Sequence, residues 1–94
     1  MVRHIVLWNL ADKANAAQNA AIMKQKLEAL VGVVPGLLHA EVSTGFAGFD
    51  VALVAELASR EALAVYAGHP AHCKVKEFVH SVISERVFCD CEMP

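Results

Sequence analysis

Four short segments of the chain are rich in β-branched, aliphatic and aromatic residues, and each predicts a β-strand. We expect these strands over residues 2–10, 37–44, 49–57 and 81–91. The first is apolar on both of its alternating faces, which is typical of a central strand that is covered on both sides. Only a few residues bounded by glycines separate the second strand from the third, so these two should pair as an antiparallel hairpin.

Between the strands, apolar positions recur at spacings of three and four residues, which predicts helices packed on the sheet. The first helix is predicted over residues 14–33, and its apolar stripe consists of Ala20, Met23, Leu27, Leu30 and Val34. The second is predicted over residues 60–67, with Ser59 as its N-cap. Pro70 breaks it and suits the first position of a further helical stretch, residues 71–79, because its missing N–H would have no partner there.

The order of these elements, β-α-β-β-α-β, predicts the fold class. It is typical of an α+β, ferredoxin-like domain with a four-stranded antiparallel sheet and its helices on one face. The chain has 94 residues, which is enough for one domain, residues 1–94. Because the strands are also apolar on the face without helices, we expect a homodimer in which two sheets pack face to face.

Composition and charge exclude several classes of function. Hydrophobic residues make up 56% of the chain and charged residues 19%, and the net charge is −2. The eight Lys and Arg residues form no run, so no nucleic-acid partner is expected. No segment reaches the ~20 apolar residues of a membrane span, and the N-terminal apolar stretch is too short for a secretory signal. Three cysteines, an odd count, argue against a disulfide framework, and we expect a cytoplasmic protein.

Five motifs along the chain resemble those of the stress-responsive A/B barrel (Dabb) family. The start R-H-I-V-L-W lies in residues 2–8, a V-P-G turn in residues 34–36, and an F-D-V-A-L-V strand in residues 49–54. Residues 66–72 match the family motif Y-x-x-H-P-x-H, and residues 88–91 lie where the family ends with an aspartate. The resemblance covers nearly the whole chain and implies a ferredoxin-like fold and a dimeric α/β barrel.

The resemblance also implies candidate catalytic residues. One branch of the family, similar to plant olivetolic acid cyclase, performs a cofactor-free aldol cyclisation of a polyketide with a Tyr and the last His of the motif. These positions are Tyr66 and His72 in this chain, and the early His and late Asp of the branch correspond to His4 and Asp90. The branch has a further His in the third strand, where this chain has Val51.

Each candidate has a chemical role that its position supports. His72 falls in the first turn of the helix after Pro70, where the helix dipole disfavours imidazolium and leaves a neutral base. Tyr66 could donate a hydrogen bond to a carbonyl oxygen and stabilise an enolate. Asp90 could orient His72 by accepting from its other ring nitrogen.

Binding residues are expected around these catalytic groups. His4 shares a strand face with Val6 and Trp8, and if the helices cover that face the polar groups would converge on a small apolar cavity. His69 is either a ligand contact or, as the residue before a proline, a turn or cap residue. Tyr66 and His4 also have an alternative role, as core residues whose polar atoms are hydrogen-bonded.

The resulting functional prediction is a small-molecule-binding protein or cofactor-free enzyme that uses His/Tyr acid–base chemistry on a small aromatic or polyketide-like ligand. Two alternatives are a non-catalytic dimeric stress-response protein and a cofactor-free monooxygenase-like activity of the same fold. Whether the chain is an enzyme stays open at this point. No cofactor or metal is expected, because the spacing Cys89-x-Cys91 is not typical of zinc sites.

Overall fold

The computed structural model describes residues 1–93, which form four strands and three helices. The strands are β1 Val2–Leu10, β2 Leu37–Thr44, β3 Val51–Leu57 and β4 Ile83–Glu92. The helices are α1 Ala16–Glu28, α2 Arg60–Gly68 and α3 Pro70–Val82, and a single 3-10 turn precedes α1. All four predicted strands and the helical regions between them are therefore confirmed.

The sheet has the strand order β2-β3-β1-β4, and every neighbouring pair is antiparallel. This is the ferredoxin-like arrangement that the element order predicts. β1 lies in the interior of the sheet, where its residues pair with β3 on one side and with β4 on the other. β2 and β4 are the edge strands, and β4 is the most exposed of the four strands.

The helices cover one face of the sheet, and the core lies between the helices and that face. Alternate residues of β1, from Val2 to Leu10, are buried on this face, and so are the residues of β3 that pair with them. The predicted stripe of α1 is buried throughout: Ala20, Met23, Leu27, Leu30 and Val34 are each at most 4% exposed. Burial of this stripe on the sheet is what holds α1 in place, since an isolated helix of 13 residues is marginal in water.

The first helix is shorter than predicted, because it ends at Glu28 rather than continuing to residue 33. Gly32 adopts φ +90°, a left-handed conformation that a helix cannot continue through and that favours glycine. Leu30 and Val34 still reach the core from the turns that follow. Periodicity alone could not separate helix from turn here, since the buried positions keep their spacing across the boundary.

Two further boundaries differ for local reasons. β3 begins at Val51 rather than at residue 49, because the Asp50 carboxylate binds elsewhere: it accepts from the Leu10 backbone N–H at 2.8 Å and from Lys13 Nζ at 2.6 Å. β4 begins at Ile83 rather than at residue 81, because α3 continues to Val82. Ser59 caps α2 as expected, and Pro70 is the first residue of α3, as predicted.

The face of the sheet opposite the helices, called the open face below, has an apolar centre and a polar rim. Its centre consists of Ile5, Leu7, Ala52, Val54, Val87 and Cys89, which neighbour one another across three strands. Polar pairs lie around it, including Arg3 with Glu56 at 4.0 Å and Asn9 with Glu85 at 2.9 Å. Separately, none of the helices within residues 1–93 combines the length and the hydropathy that crossing a bilayer requires.

Candidate functional site

A small cleft lies between the helix-covered face of β1, the edge strand β4, and helices α2 and α3. Five of the seven predicted site residues line it: His4, Val6, Trp8, Tyr66 and His72. Its volume is about 40 Å³. Since one water needs roughly 10–15 Å³ by this measure, the cleft accommodates about three water-sized groups. It opens towards solvent beside β4.

His72 is held in one tautomer. It is the third residue of α3, and its Nδ1–H donates to the Tyr66 carbonyl oxygen at 2.8 Å, so Nε2 is the basic atom of the ring. Burial lowers the pKa of His72 to about 4, and the nearby positive charges of Lys76 and Arg86 act in the same direction, against the effect of the Tyr66 hydrogen bond. His72 is therefore a neutral imidazole at physiological pH, as the sequence predicts.

Tyr66 packs directly against His72. The two rings are stacked, with centroids 3.9 Å apart and planes 19° from parallel, and His4 contacts the phenol edge-on at 6.0 Å. Tyr66 is 2% exposed. This burial raises the pKa of Tyr66 to about 12, so the phenol keeps its proton and can only act as a hydrogen-bond donor or acceptor.

Asp90 binds a different histidine from the one that was expected. Its carboxylate accepts from Nδ1–H of His4, and not from His72. The reason is the strand register, because Asp90 lies directly opposite His4 in the antiparallel β1–β4 pair. The Nδ1 of His72 is already used by the carbonyl of Tyr66. The expected Asp90–His72 pairing is thus wrong, and Asp90 orients His4 instead.

His69 lies outside the lining of the cleft. It is the N-cap of α3, and its Nδ1 accepts a hydrogen bond from the backbone N–H of Ala71 at 3.1 Å. This is the cap role that the sequence offered as the alternative to ligand binding. His69 therefore helps to define where α3 begins, which sets the position of His72 in its first turn.

Three basic residues at the mouth of the cleft were missed by the sequence reasoning: Lys76, His80 and Arg86. His72, Lys76 and His80 follow one another at intervals of four on α3, so a helical-spacing argument could have found the first two of the missed residues. Arg86 could not be found in that way. It lies opposite Trp8 in the β1–β4 pair, and its guanidinium packs 4.8 Å from the ring centroid of Phe88.

One residue of the cleft lining, Trp8, has a buried polar atom that lacks a partner. Trp8 is 4% exposed, and within residues 1–93 no acceptor binds its indole Nε1–H. Buried side-chain donors are normally satisfied, so an unpaired one on a residue that lines a cleft has functional interest.

The described part of the chain holds no group of three or more His, Cys, Asp or Glu residues that could bind a metal ion. The nearest approach between potential soft ligands is that of Cys89 and Cys91, whose Sγ atoms are 3.5 Å apart. Both alternate with Asp90 and thus belong to the open face, away from the cleft.

The fold and the cleft define an α+β, ferredoxin-like protein with a histidine–tyrosine site on the helix-covered face of its sheet. A family model described as the stress responsive A/B barrel domain (Dabb) matches residues 2–93. The chain belongs to this family. Among curated proteins, none matches this chain.

Solved structures agree with this fold. A dimeric protein of ferredoxin-like fold from Bacteroides fragilis superimposes with a TM-score of 0.89 at 24% identity, over 98% of this chain and 95% of the other. A dimeric ferredoxin-like protein from Thermobifida fusca gives 0.85 at 21% identity, over 98% and 90%. An antibiotic biosynthesis monooxygenase gives 0.81 at 9% identity, over 100% and 99%. At these identities the likeness establishes the fold.

Proposed function

We propose that the protein is a homodimer whose clefts bind a small molecule and transfer a proton to and from it without a cofactor. The observation that carries this proposal is the pair of stacked rings in the cleft. His72 is neutral with Nε2 as its basic atom, and Tyr66 beside it stays protonated. A base and a hydrogen-bond donor in contact, within a partly apolar cleft, form the smallest set of groups for enolisation.

The proposed step is proton abstraction from a carbon next to a carbonyl group. His72 Nε2 takes the proton, and the electron pair of the broken C–H bond moves into the carbonyl, which becomes an enolate. The hydroxyl of Tyr66 donates a hydrogen bond to the enolate oxygen. The His72 imidazolium then returns its proton, either to the same carbon or to the alkoxide that forms when the enolate attacks a second carbonyl, as in an aldol cyclisation.

The size of the cleft limits how much of a ligand it can enclose. Pockets for drug-sized ligands have volumes of about 300–1,000 Å³, whereas this one measures about 40 Å³. We therefore expect the reacting end of the ligand to enter the cleft and the remainder to extend through the mouth beside β4. This arrangement favours short carbon acids over long polyketides.

Proton-transfer activity can be tested with acetoacetate, acetoacetamide and triacetic acid lactone as probes. We expect at least one probe to raise the melting temperature and to exchange its acidic C–H for deuterium faster with protein than without. His72→Asn is the informative variant, because the Asn amide can still donate to the Tyr66 carbonyl while the basic Nε2 is lost. The protein-dependent exchange rate should fall by roughly 10²–10⁴-fold in this variant.

The matched control is Lys74→Gln, which changes an exposed residue of the same helix outside the cleft lining. It should keep both binding and exchange. If the probes bound without faster exchange, the protein would bind small molecules but would not catalyse proton transfer. If none of the probes bound, the non-catalytic dimeric role would replace this proposal.

The homodimer part of the proposal concerns the open face. Its apolar centre and polar rim have the organisation of a protein–protein interface, and structural neighbours of the same fold are described as dimeric. A second copy packed face to face would bury Ile5, Leu7 and Val54 on both sides. Such an isologous arrangement is the commonest form of a dimer.

The cysteines provide a test of this interface with an internal reference. Cys89 and Cys91 lie on the open face, whereas Cys73 is exposed on α3. We expect a thiol reagent to label Cys73 rapidly and Cys89 slowly at high protein concentration, with the difference shrinking on dilution as the dimer dissociates. Concentration-independent labelling of Cys89, together with a monomer mass by light scattering, would contradict the dimer.

A monooxygenase-like reaction is a second candidate, because the superposition on the antibiotic biosynthesis monooxygenase extends over the whole chain. A cofactor-free reaction of this kind would consume O₂, and an aromatic substrate would need more room than the cleft provides. Oxygen uptake with a dihydroxyaromatic probe separates this candidate from proton transfer, which consumes no oxygen.

A further inference from the structure

Building on the proposed function, we infer that the ligand of the cleft is a short keto carboxylate, anchored by its carboxylate group between the Trp8 indole N–H and the basic residues of the mouth. The ketone of the same molecule would then lie deeper, beside Tyr66, with the acidic C–H between the two groups close to His72.

The unpaired donor is the first observation. Trp8 is one of the residues that line the cleft, and its buried Nε1–H has no acceptor in residues 1–93. An unmet buried donor costs about 1–3 kcal/mol, so a ligand that supplies an acceptor at this position recovers a large part of that cost. A carboxylate oxygen is a strong acceptor, because it is charged.

The charge of the mouth is the second observation. None of the six ion pairs within residues 1–93 includes Lys76, His80 or Arg86. The Nζ of Lys76 donates only to the Ala67 carbonyl oxygen, at 2.8 Å. The carboxylate of Asp90 is hydrogen-bonded to His4 and does not belong to the lining of the cleft. Lys76 and Arg86 therefore bring two positive charges without an ion-pair partner in residues 1–93 to the cleft, and such a field attracts and retains anions.

The arrangement of these groups around the cleft is the third observation. Arg86 is the cross-strand neighbour of Trp8, so the guanidinium and the indole approach the mouth from adjacent strands of one face. A bidentate carboxylate could therefore meet an N–H on one oxygen and a cation on the other. The volume of about 40 Å³ suits the short ketone end of such a molecule, with the carboxylate at the mouth.

A bound anion would also make His72 a better base. The charges of Lys76, Arg86 and His4 act to lower the pKa of His72, and a carboxylate beside them would offset their effect. The titratable or charged groups that surround the ring are His4 on β1 with Asp90 behind it, Tyr66 on α2, Lys76 and His80 on α3, and Arg86 on β4. The base would thus strengthen when the correct substrate is present.

The test compares acetoacetate with acetoacetamide, which have nearly the same shape but differ in charge. Trp8 is the single tryptophan of the chain, so its indole N–H gives one isolated NMR signal. We expect acetoacetate to shift this signal and to bind roughly tenfold or more tightly than the amide, since charge-assisted hydrogen bonds are about twice as strong as neutral ones. The affinity should also fall as salt is added.

Arg86→Gln should weaken acetoacetate binding several-fold and leave acetoacetamide unaffected. Lys74→Gln removes the same charge from the exposed side of α3 and should change neither affinity. Equal binding of the two probes would overturn the carboxylate inference while the proposed proton-transfer function stands. Displacement of acetoacetate by equimolar chloride would overturn it as well, because it would indicate a general anion atmosphere. If neither probe perturbed Trp8 or His72, both the inference and the proposed function would fail.

Discussion

The two faces of the sheet are built from the same strands but differ in how their side chains are satisfied. On the helix-covered face, the core is closed within one chain, and the polar groups that remain are paired or gathered in the cleft. On the open face, apolar side chains from three strands are left half-exposed or exposed, with polar pairs only at the margin. The apolar side chains of the first face are buried within a single chain, whereas those of the second are buried only if another surface covers them.

This difference separates stability from association. A residue of the helix-covered face contributes to the free energy of unfolding of each protomer. In the proposed dimer, an apolar residue of the open face contributes mainly to association, so its effect would depend on protein concentration. The following predictions use single substitutions to test that separation.

The largest effect is expected for Leu7→Asp, at the centre of the open face. A dimer would have to bury two unpaired carboxylates there, which is strongly unfavourable. We expect light scattering to report a monomer at micromolar concentration. Val65→Asp, at an exposed position of α2, is the control and should stay dimeric. A dimeric Leu7→Asp protein would show that the open face is not the interface.

A smaller but concentration-independent effect is expected for Leu53→Ala on the helix-covered face. Leu53 is 2% exposed in the core, and truncation of a buried leucine to alanine typically costs about 2–5 kcal/mol. Denaturant unfolding at two protein concentrations should give the same loss for Leu53→Ala. For Leu7→Ala the loss should instead depend on concentration. The reverse pattern would contradict the division between the two faces.

The next largest effect is a pH dependence of stability, caused by the buried imidazole of His72. The pKa of His72 is lowered to about 4 in the folded protein, against an ordinary value of 6.5. The unfolded chain therefore binds more protons between these values, and stability falls as the pH drops from about 6.5 towards 4. The slope attributable to His72 is at most about 1.36 kcal/mol per pH unit. It should vanish in His72→Asn and persist in Lys74→Gln, as measured by denaturant unfolding across this range.

The smallest effect is expected for Asp90→Asn, and it tests which histidine the aspartate orients. Asp90 is partly exposed, so losing its charge should cost about 1 kcal/mol or less. NMR should show a large change in the chemical shifts of the His4 ring in the variant, because its Nδ1–H loses a charged acceptor. The ring of His72 should change much less, since its Nδ1 binds the Tyr66 carbonyl. A large shift at His72 alone would contradict this assignment.

Most of the architecture follows from local patterns that each segment carries on its own. The alternation in β1 identified the shared face of His4, Val6 and Trp8, and that face is the one the helices cover. Pro70 marked the start of α3, which places His72 in a first helical turn. These predictions succeeded because strand alternation and helix capping are decided by residues a few positions apart.

Which side chains of the site contact one another was decided by the tertiary structure alone. The pairing of Asp90 with His4, and the placement of Arg86 beside Trp8, both depend on the register between β1 and β4, which are far apart in the chain. No short-range pattern encodes that register, because a shift of two residues would leave every side chain on the same face while changing all its neighbours. The sequence by itself therefore determined the elements, their faces and the family. Only the folded sheet decided which charged groups meet at the cleft.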